Sequence, residues 1–177
     1  LLTEAVYLRG DLTNSSAYQL LAGPASIFVG QDYVGPTAIG SVAPQGEFQM
    51  HFGIDQTVKA RKQLLVKSSE STGLLSGGRR TSSSYRITID NSSGRDLTLE
   101  LWDRIPVSRS EDIQIQMIDL TTKLATDAHY ATEQQPQGLL KWWLNISATA
   151  RGLQSFTIDY TVRIDRAKDV IMTPLPE

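Results

Sequence analysis

No cysteine occurs among the 177 residues of this chain. Disulfides, thiol nucleophiles and thiolate metal sites are thereby excluded within it, although the missing thiols fix no compartment. Histidine is nearly as scarce, with two copies, His51 and His129. The sequence has no HExxH, no calcium-binding EF-hand loop, no histidine pair at ligand spacing and no Gly-x-Ser-x-Gly elbow. No apolar run is long enough for a membrane-spanning helix. No segment carries a helical stripe of ten residues or more. Neither sign of charge dominates: Lys and Arg number 17 and Asp and Glu 19, for a net charge of −2. A strong electrostatic grip on nucleic acid or on an anionic membrane is not expected from that balance.

What is present is a two-residue rhythm. Hydrophobic residues make up 40% and charged residues 20%, the profile of an ordinary globular chain with one good core. Tyr85, Ile87 and Ile89 alternate with Arg86, Thr88 and Asp90. Leu97, Leu99 and Leu101 alternate with Thr98, Glu100 and Trp102. Such alternation puts the apolar set on one face of a half-buried strand. Asn91-Ser92-Ser93-Gly94 lies between the two runs, and its turn chemistry predicts a β-hairpin.

The same rhythm recurs along the chain. Gly30-Gln31-Asp32 predicts a tight hairpin loop between short strands. Phe48, Met50 and Phe52 mark a strand ending at Gly53-Ile54-Asp55, and residues 58–67 mark another. Ile113, Ile115 and Met117 mark a further strand. Leu140, Trp142, Leu144 and Ile146 share one face of the next, which places Trp142 inside and Trp143 outside. Phe156 to Ile164 alternates most cleanly of all. Residues 68–84 are rich in Ser and Gly and predict a long flexible connection whose flanking strands pair. Residues 121–138 are polar and irregular, with room for one helical turn. The expectation is an all-β protein: an antiparallel β-sandwich of roughly ten strands forming one domain over residues 1–177. Leu1 opens mid-strand, so the chain reads as a fragment whose N-terminal strands precede it.

Several landmarks carry a family resemblance. They are Leu20 to Ala25, Phe28 to Gly35, Phe52-Gly53-Ile54-Asp55 with Val58 and Arg61, Thr72 to Leu75, Tyr85 to Asn91, Asp103 to Ser108, Gly138 to Trp142 and Ile158 to Val162. Their order and spacing resemble the C-terminal part of the domain of unknown function 4139, found in mucoidy-inhibitor-A-like proteins of bacteria and fungi. The resemblance implies a β-rich module at the end of a multidomain protein. It assigns no enzymatic activity, catalytic residue or cofactor. Missing strands of the same protein, or a separate chain, would complete the domain.

The polar candidates are Asp55, Arg61, Asp103 and Arg104 as a cluster, and Arg79 and Arg80 as a basic loop tip able to meet an anion or an acidic partner. Trp102 and Trp143 are the candidate outward tryptophans, suited to a protein or sugar contact. Asp residues at strand ends more often accept backbone N–H groups than perform chemistry. Asn14, Asn91 and Asn145 each open an Asn-x-Ser sequence, an acceptor pattern for glycosylation in a secretory pathway.

The leading expectation is a non-catalytic module that binds protein or self-associates through sheet edges, with no cofactor and no metal. The alternative is a hydrolase or carbohydrate-acting domain with Asp55 and Asp103 as a carboxylate pair. The compartment stays open, with a bacterial envelope or periplasm placed ahead of the cytoplasm.

Overall fold

The computed structural model describes residues 4–72 and 77–167. Nine strands lie within them: β1 (Ala5–Thr13), β2 (Gly23–Val29), β3 (Asp32–Ile39), β4 (Glu47–Thr72), β5 (Gly78–Asn91), β6 (Leu97–Arg104), β7 (Ile113–Ile118), β8 (Leu139–Ile146) and β9 (Phe156–Arg166). The all-β reading holds. One sheet runs β1-β4-β5-β9-β7, and two ribbons pair β2 with β3 and β6 with β8. The β5–β9, β7–β9, β2–β3 and β6–β8 pairs are all antiparallel. By contacts the chain divides into two compact units, residues 5–58 and residues 59–177 with 1–4, and β4 passes from one to the other.

In the first unit, β2 and β3 form the expected hairpin. Val29 pairs with Asp32 across Gly30-Gln31, and Gly30 takes φ +64°. Ile27, Val42 and Val58 are its buried apolar residues. Gly53 does not end a strand, as its glycine suggested. It sits inside β4 at φ +87°, where a Cβ would lie 2.5 Å from Val34 Cγ1. Glycine here lets one long strand bend without breaking.

In the second unit the clean alternation of β9 becomes the core. Ile158, Tyr160, Val162 and Ile164 are buried, as are Ile87 and Ile89 beside them on β5. From β8, Leu140, Trp142, Leu144 and Ile146 are buried as the parity required. Trp142 packs on Tyr160 with centroids 6.3 Å apart, so the β6–β8 ribbon lies over the inner face of β9. β4 is β5's other neighbour in the sheet, so the strands flanking residues 68–84 do pair. Residues 68–72 and 78–84 are strand rather than loop, while 73–76 lie outside the described residues. The irregular segment holds one π-helical turn at Tyr130–Gln134 and a 3-10 turn at Gln135–Gln137.

The expected hairpin between β5 and β6 is absent. Both edges of β5 are already taken, by β4 and β9, while β6 pairs with β8. Asn91-Ser92-Ser93-Gly94 is instead a corner between layers. Asn91 is fully buried, and its Nδ2 donates to Arg95 O at 2.8 Å and Ser147 O at 3.0 Å. Its Oδ1 accepts from Ser93 N and Ser93 Oγ. The same device recurs at the end of β1. There Asn14 Nδ2 donates to Tyr18 O, Val42 O and Ala43 O, and Asn14 Oδ1 accepts from Ser16 N and Oγ. Two of the three Asn-x-Ser sequences are therefore structural plugs with buried amides. Asn91→Ala leaves two carbonyls and two donors unmatched. It should lower the unfolding free energy by about 2–3 kcal/mol in a urea titration, with Asn145→Ala near neutral.

Candidate functional site

Asp103 is the deepest charged side chain of the second unit, and the strand pattern explains why. Leu97, Leu99 and Leu101 set the inward parity of β6, and Asp103 is the next residue in that series. Its side chain is 1% exposed. Oδ1 accepts from Lys62 Nζ of β4 at 2.9 Å and from the Arg104 backbone N–H at 2.7 Å. Oδ2 accepts from the Tyr160 hydroxyl at 2.5 Å. Lys62 also lies over the Tyr85 ring, 4.5 Å from its centroid, and 5.6 Å from that of Tyr160. Four strands thus contribute to one buried group, whose carboxylate oxygens both accept hydrogen bonds.

A second cluster surrounds Lys141 of β8. Its ammonium reaches Asp127 at 3.1 Å and Glu100 at 3.6 Å. It also lies 5.3 Å from the Trp102 centroid and 5.2 Å from that of Trp143. Trp102 donates Nε1–H to Glu100 at 3.1 Å and meets Tyr130 edge-on. Trp143 keeps 49% of its surface exposed. The two candidate tryptophans thus flank one lysine, which sequence reasoning missed because Lys141 is on the outward parity of its strand.

A third arrangement covers the outer face of β5 and β9. Arg80 pairs with Asp165 and Arg86 with Asp159, each with Nε–H···O at 2.7 Å, with Ser84 and Thr161 hydroxyls bonded between them. Arg80 is therefore part of a cross-strand ladder, while Arg79 is exposed. Arg61 and the Arg104 side chain are exposed. Asp55, in the first unit, accepts from the N–H and hydroxyl of Thr57 on the same strand. Within the second unit, Asp103 takes Lys62 as its charged partner, and the Arg104 backbone N–H rather than its side chain donates to it. At the end of the β6–β8 ribbon, Asp96, Leu97, Thr98, Asn145, Ile146 and Ser147 line an open depression of about 440 Å³. Among the described residues no three His, Asp or Glu side chains stand close enough to hold a metal, and no helix is long and apolar enough to cross a membrane.

Protonation follows these contacts. Burial, and then the charge and hydrogen bond of Asp103, push the Tyr160 hydroxyl well above the ordinary tyrosine range. Asp159 is held below the usual carboxyl range by Arg86, Asp90 by the Ser155 hydroxyl and Asp127 by Lys141. A raised acid contributes stability below its unfolded pKa and loses it as pH rises through the folded value. A lowered acid contributes above its unfolded pKa and loses it as pH falls through the folded value. Stability should therefore be flat between about pH 5 and 9 and fall on both sides. Denaturant midpoints across pH should show this plateau. Burial raises the Tyr130 hydroxyl as well, so tyrosinate absorbance should show both buried tyrosines ionising only with unfolding, and a Tyr160→Phe protein should lose part of the alkaline fall and keep the share of Tyr130.

The fold and these clusters define an all-β module in which an antiparallel sheet is overlaid, in its second unit, by a β-ribbon with a buried ionic tie. The chain belongs to the family described as Domain of unknown function (DUF4139), whose model matches residues 6–166. No curated protein and no solved structure matches the chain.

Proposed function

We propose that this chain is a non-catalytic interaction and assembly module of a larger, mucoidy-inhibitor-like bacterial protein. The observation that carries the reading is the second half of β4. Residues 61–71 are exposed throughout, and Leu64, Leu65 and Val66 keep 47%, 46% and 59% of their surfaces in solvent. Leucine and valine side chains exposed side by side along a strand offer an apolar contact surface to another chain. The first unit adds an exposed aromatic pair, Phe28 and Tyr33, with centroids 5.4 Å apart. Partners on this reading are the remaining parts of the same protein or a second copy.

The occupied carboxylate of Asp103 supports a structural role over a hydrolytic one. A glycosidic acid must reach a substrate oxygen, and both oxygens of Asp103 already accept hydrogen bonds inside the protein. Light scattering on the chain from about 1 to 500 μM, and titration with the remaining parts of its own protein, test the proposal. Association in either experiment supports it. A monomer that binds neither overturns it.

A further inference from the structure

We infer that the depression at the end of the β6–β8 ribbon, with the Trp143 indole beside it, binds a neutral oligosaccharide. This goes beyond the assembly reading above and does not depend on it.

Strand parity builds the site. β8 turns Leu144 and Ile146 inward, so Trp143 and Asn145 face out, and Ser147 continues that outward series past the strand's end. The register sets Glu100 opposite Trp143 and Thr98 opposite Asn145. Asp96, Thr98, Asn145 and Ser147 supply the polar side chains of the depression, whose volume is about 440 Å³. Successive outward residues on a strand are about 6.6 Å apart, so the indole stands one such step from the Asn145 amide, on the same face.

The internal hydrogen bonds leave a matched pair of groups over. The Thr98 hydroxyl donates to Asn145 Oδ1 at 3.3 Å, which holds the amide and leaves its two Nδ2 hydrogens unused among the described residues. Ala148 N–H donates to Asp96 Oδ1 at 2.7 Å and leaves Oδ2 as an acceptor. An amide donor and a carboxylate acceptor in one depression match neighbouring sugar hydroxyls, which both donate and accept. The Trp143 ring, 49% exposed, offers a flat apolar surface to the C–H face of a sugar, and Lys141 helps to hold it, 5.2 Å from the centroid. Charge then selects the ligand. The lining carries one carboxylate and no Lys, Arg or His, so an acidic sugar is repelled and a neutral one is not. One stacked ring and a few hydrogen bonds in an open depression correspond to a Kd of ~0.1–1 mM.

Amide NMR titration of the chain with cellohexaose, maltohexaose, laminarihexaose and mannohexaose, each to about 10 mM, tests this, with a galacturonic-acid hexamer as the acidic probe. At least one neutral hexamer should shift the amides of residues 96–98 and 143–147, and the acidic hexamer should bind at least about tenfold more weakly. Trp143→Ala and Asn145→Ala should each weaken the neutral sugar about tenfold. Both side chains are exposed, and matching thermal melts would show that the variants fold. Asp96→Asn keeps an acceptor for Ala148 N–H and should narrow the gap between neutral and acidic hexamers. No shift with any neutral hexamer overturns the site. So does binding that neither alanine variant weakens, or an acidic hexamer that binds as tightly as the neutral ones.

Discussion

Asp103→Ala should lower the unfolding free energy of this chain by about 3 kcal/mol. The carboxylate is buried and holds three donors, from Lys62, Arg104 and Tyr160. Removing it leaves the Tyr160 hydroxyl, on a buried residue, with no acceptor, and leaves Lys62 over two aromatic rings with no counter-charge. Taking away one partner of a buried polar pair costs more than the pair was worth, because the survivor stays desolvated. Lys62 is 29% exposed, so water recovers part of its share. The estimate therefore sits at the lower end of the range for breaking a buried ion pair, about 3–5 kcal/mol. The informative experiment is the set of three proteins. Tyr160→Phe alone should cost about 1 kcal/mol. Asp103→Ala with Tyr160→Phe should cost less than the sum of the two single losses, because fewer buried groups are then unmatched. Equal and additive losses across the set, measured by urea titration, would show that the two side chains are not coupled.

The second large effect separates neighbours in sequence. Trp142→Ala should cost about 3–5 kcal/mol, and Trp143→Ala less than about 1 kcal/mol. Trp142 is fully buried, packs on Tyr160 and donates Nε1–H to Thr122 O at 3.1 Å. Trp143 points the other way, half exposed beside Lys141. Trp142→Phe keeps much of the ring and loses the Thr122 bond, so an intermediate loss is expected. Similar losses for both alanine variants would mean that the strand parity of β8 is misassigned, and far-ultraviolet melts would reveal it.

Neither result bears on catalysis, and that matches the chemistry of the buried group. A carboxylate tied at both oxygens behaves as a strut between strands. Exposed apolar side chains lie elsewhere, among them Leu64, Leu65 and Val66 of β4 and the Phe28–Tyr33 pair of the β2–β3 hairpin.

Much of the fold could be read from residue order. Period two in 156–164, 139–146 and 113–118 located β9, β8 and β7, because a strand exposes its faces alternately whatever its neighbours are. The same parity separated Trp142 from Trp143. Read one step further, it also placed Asp103 inward behind Leu97, Leu99 and Leu101. That signal was present, but a charged residue at a strand end suggested a solvent-facing turn. The duplicate Asn-Ser-Ser turns were visible as well, though their role as buried plugs was not.

The amino-acid order alone determined which segments extend and which side of each is apolar, since both follow from local sterics and water exclusion. Only the tertiary structure decided which strands pair. Turn residues at Asn91-Ser92-Ser93-Gly94 permit either a hairpin or a corner, and the choice fell to long-range competition for the edges of β5, which β4 and β9 won. The same long-range pairing brought Lys62, Asp103 and Tyr160 together across as many as 98 positions of chain, from 62 to 160. No local rule anticipates that, because the energy of a buried ionic contact depends on neighbours the backbone meets only after it has folded.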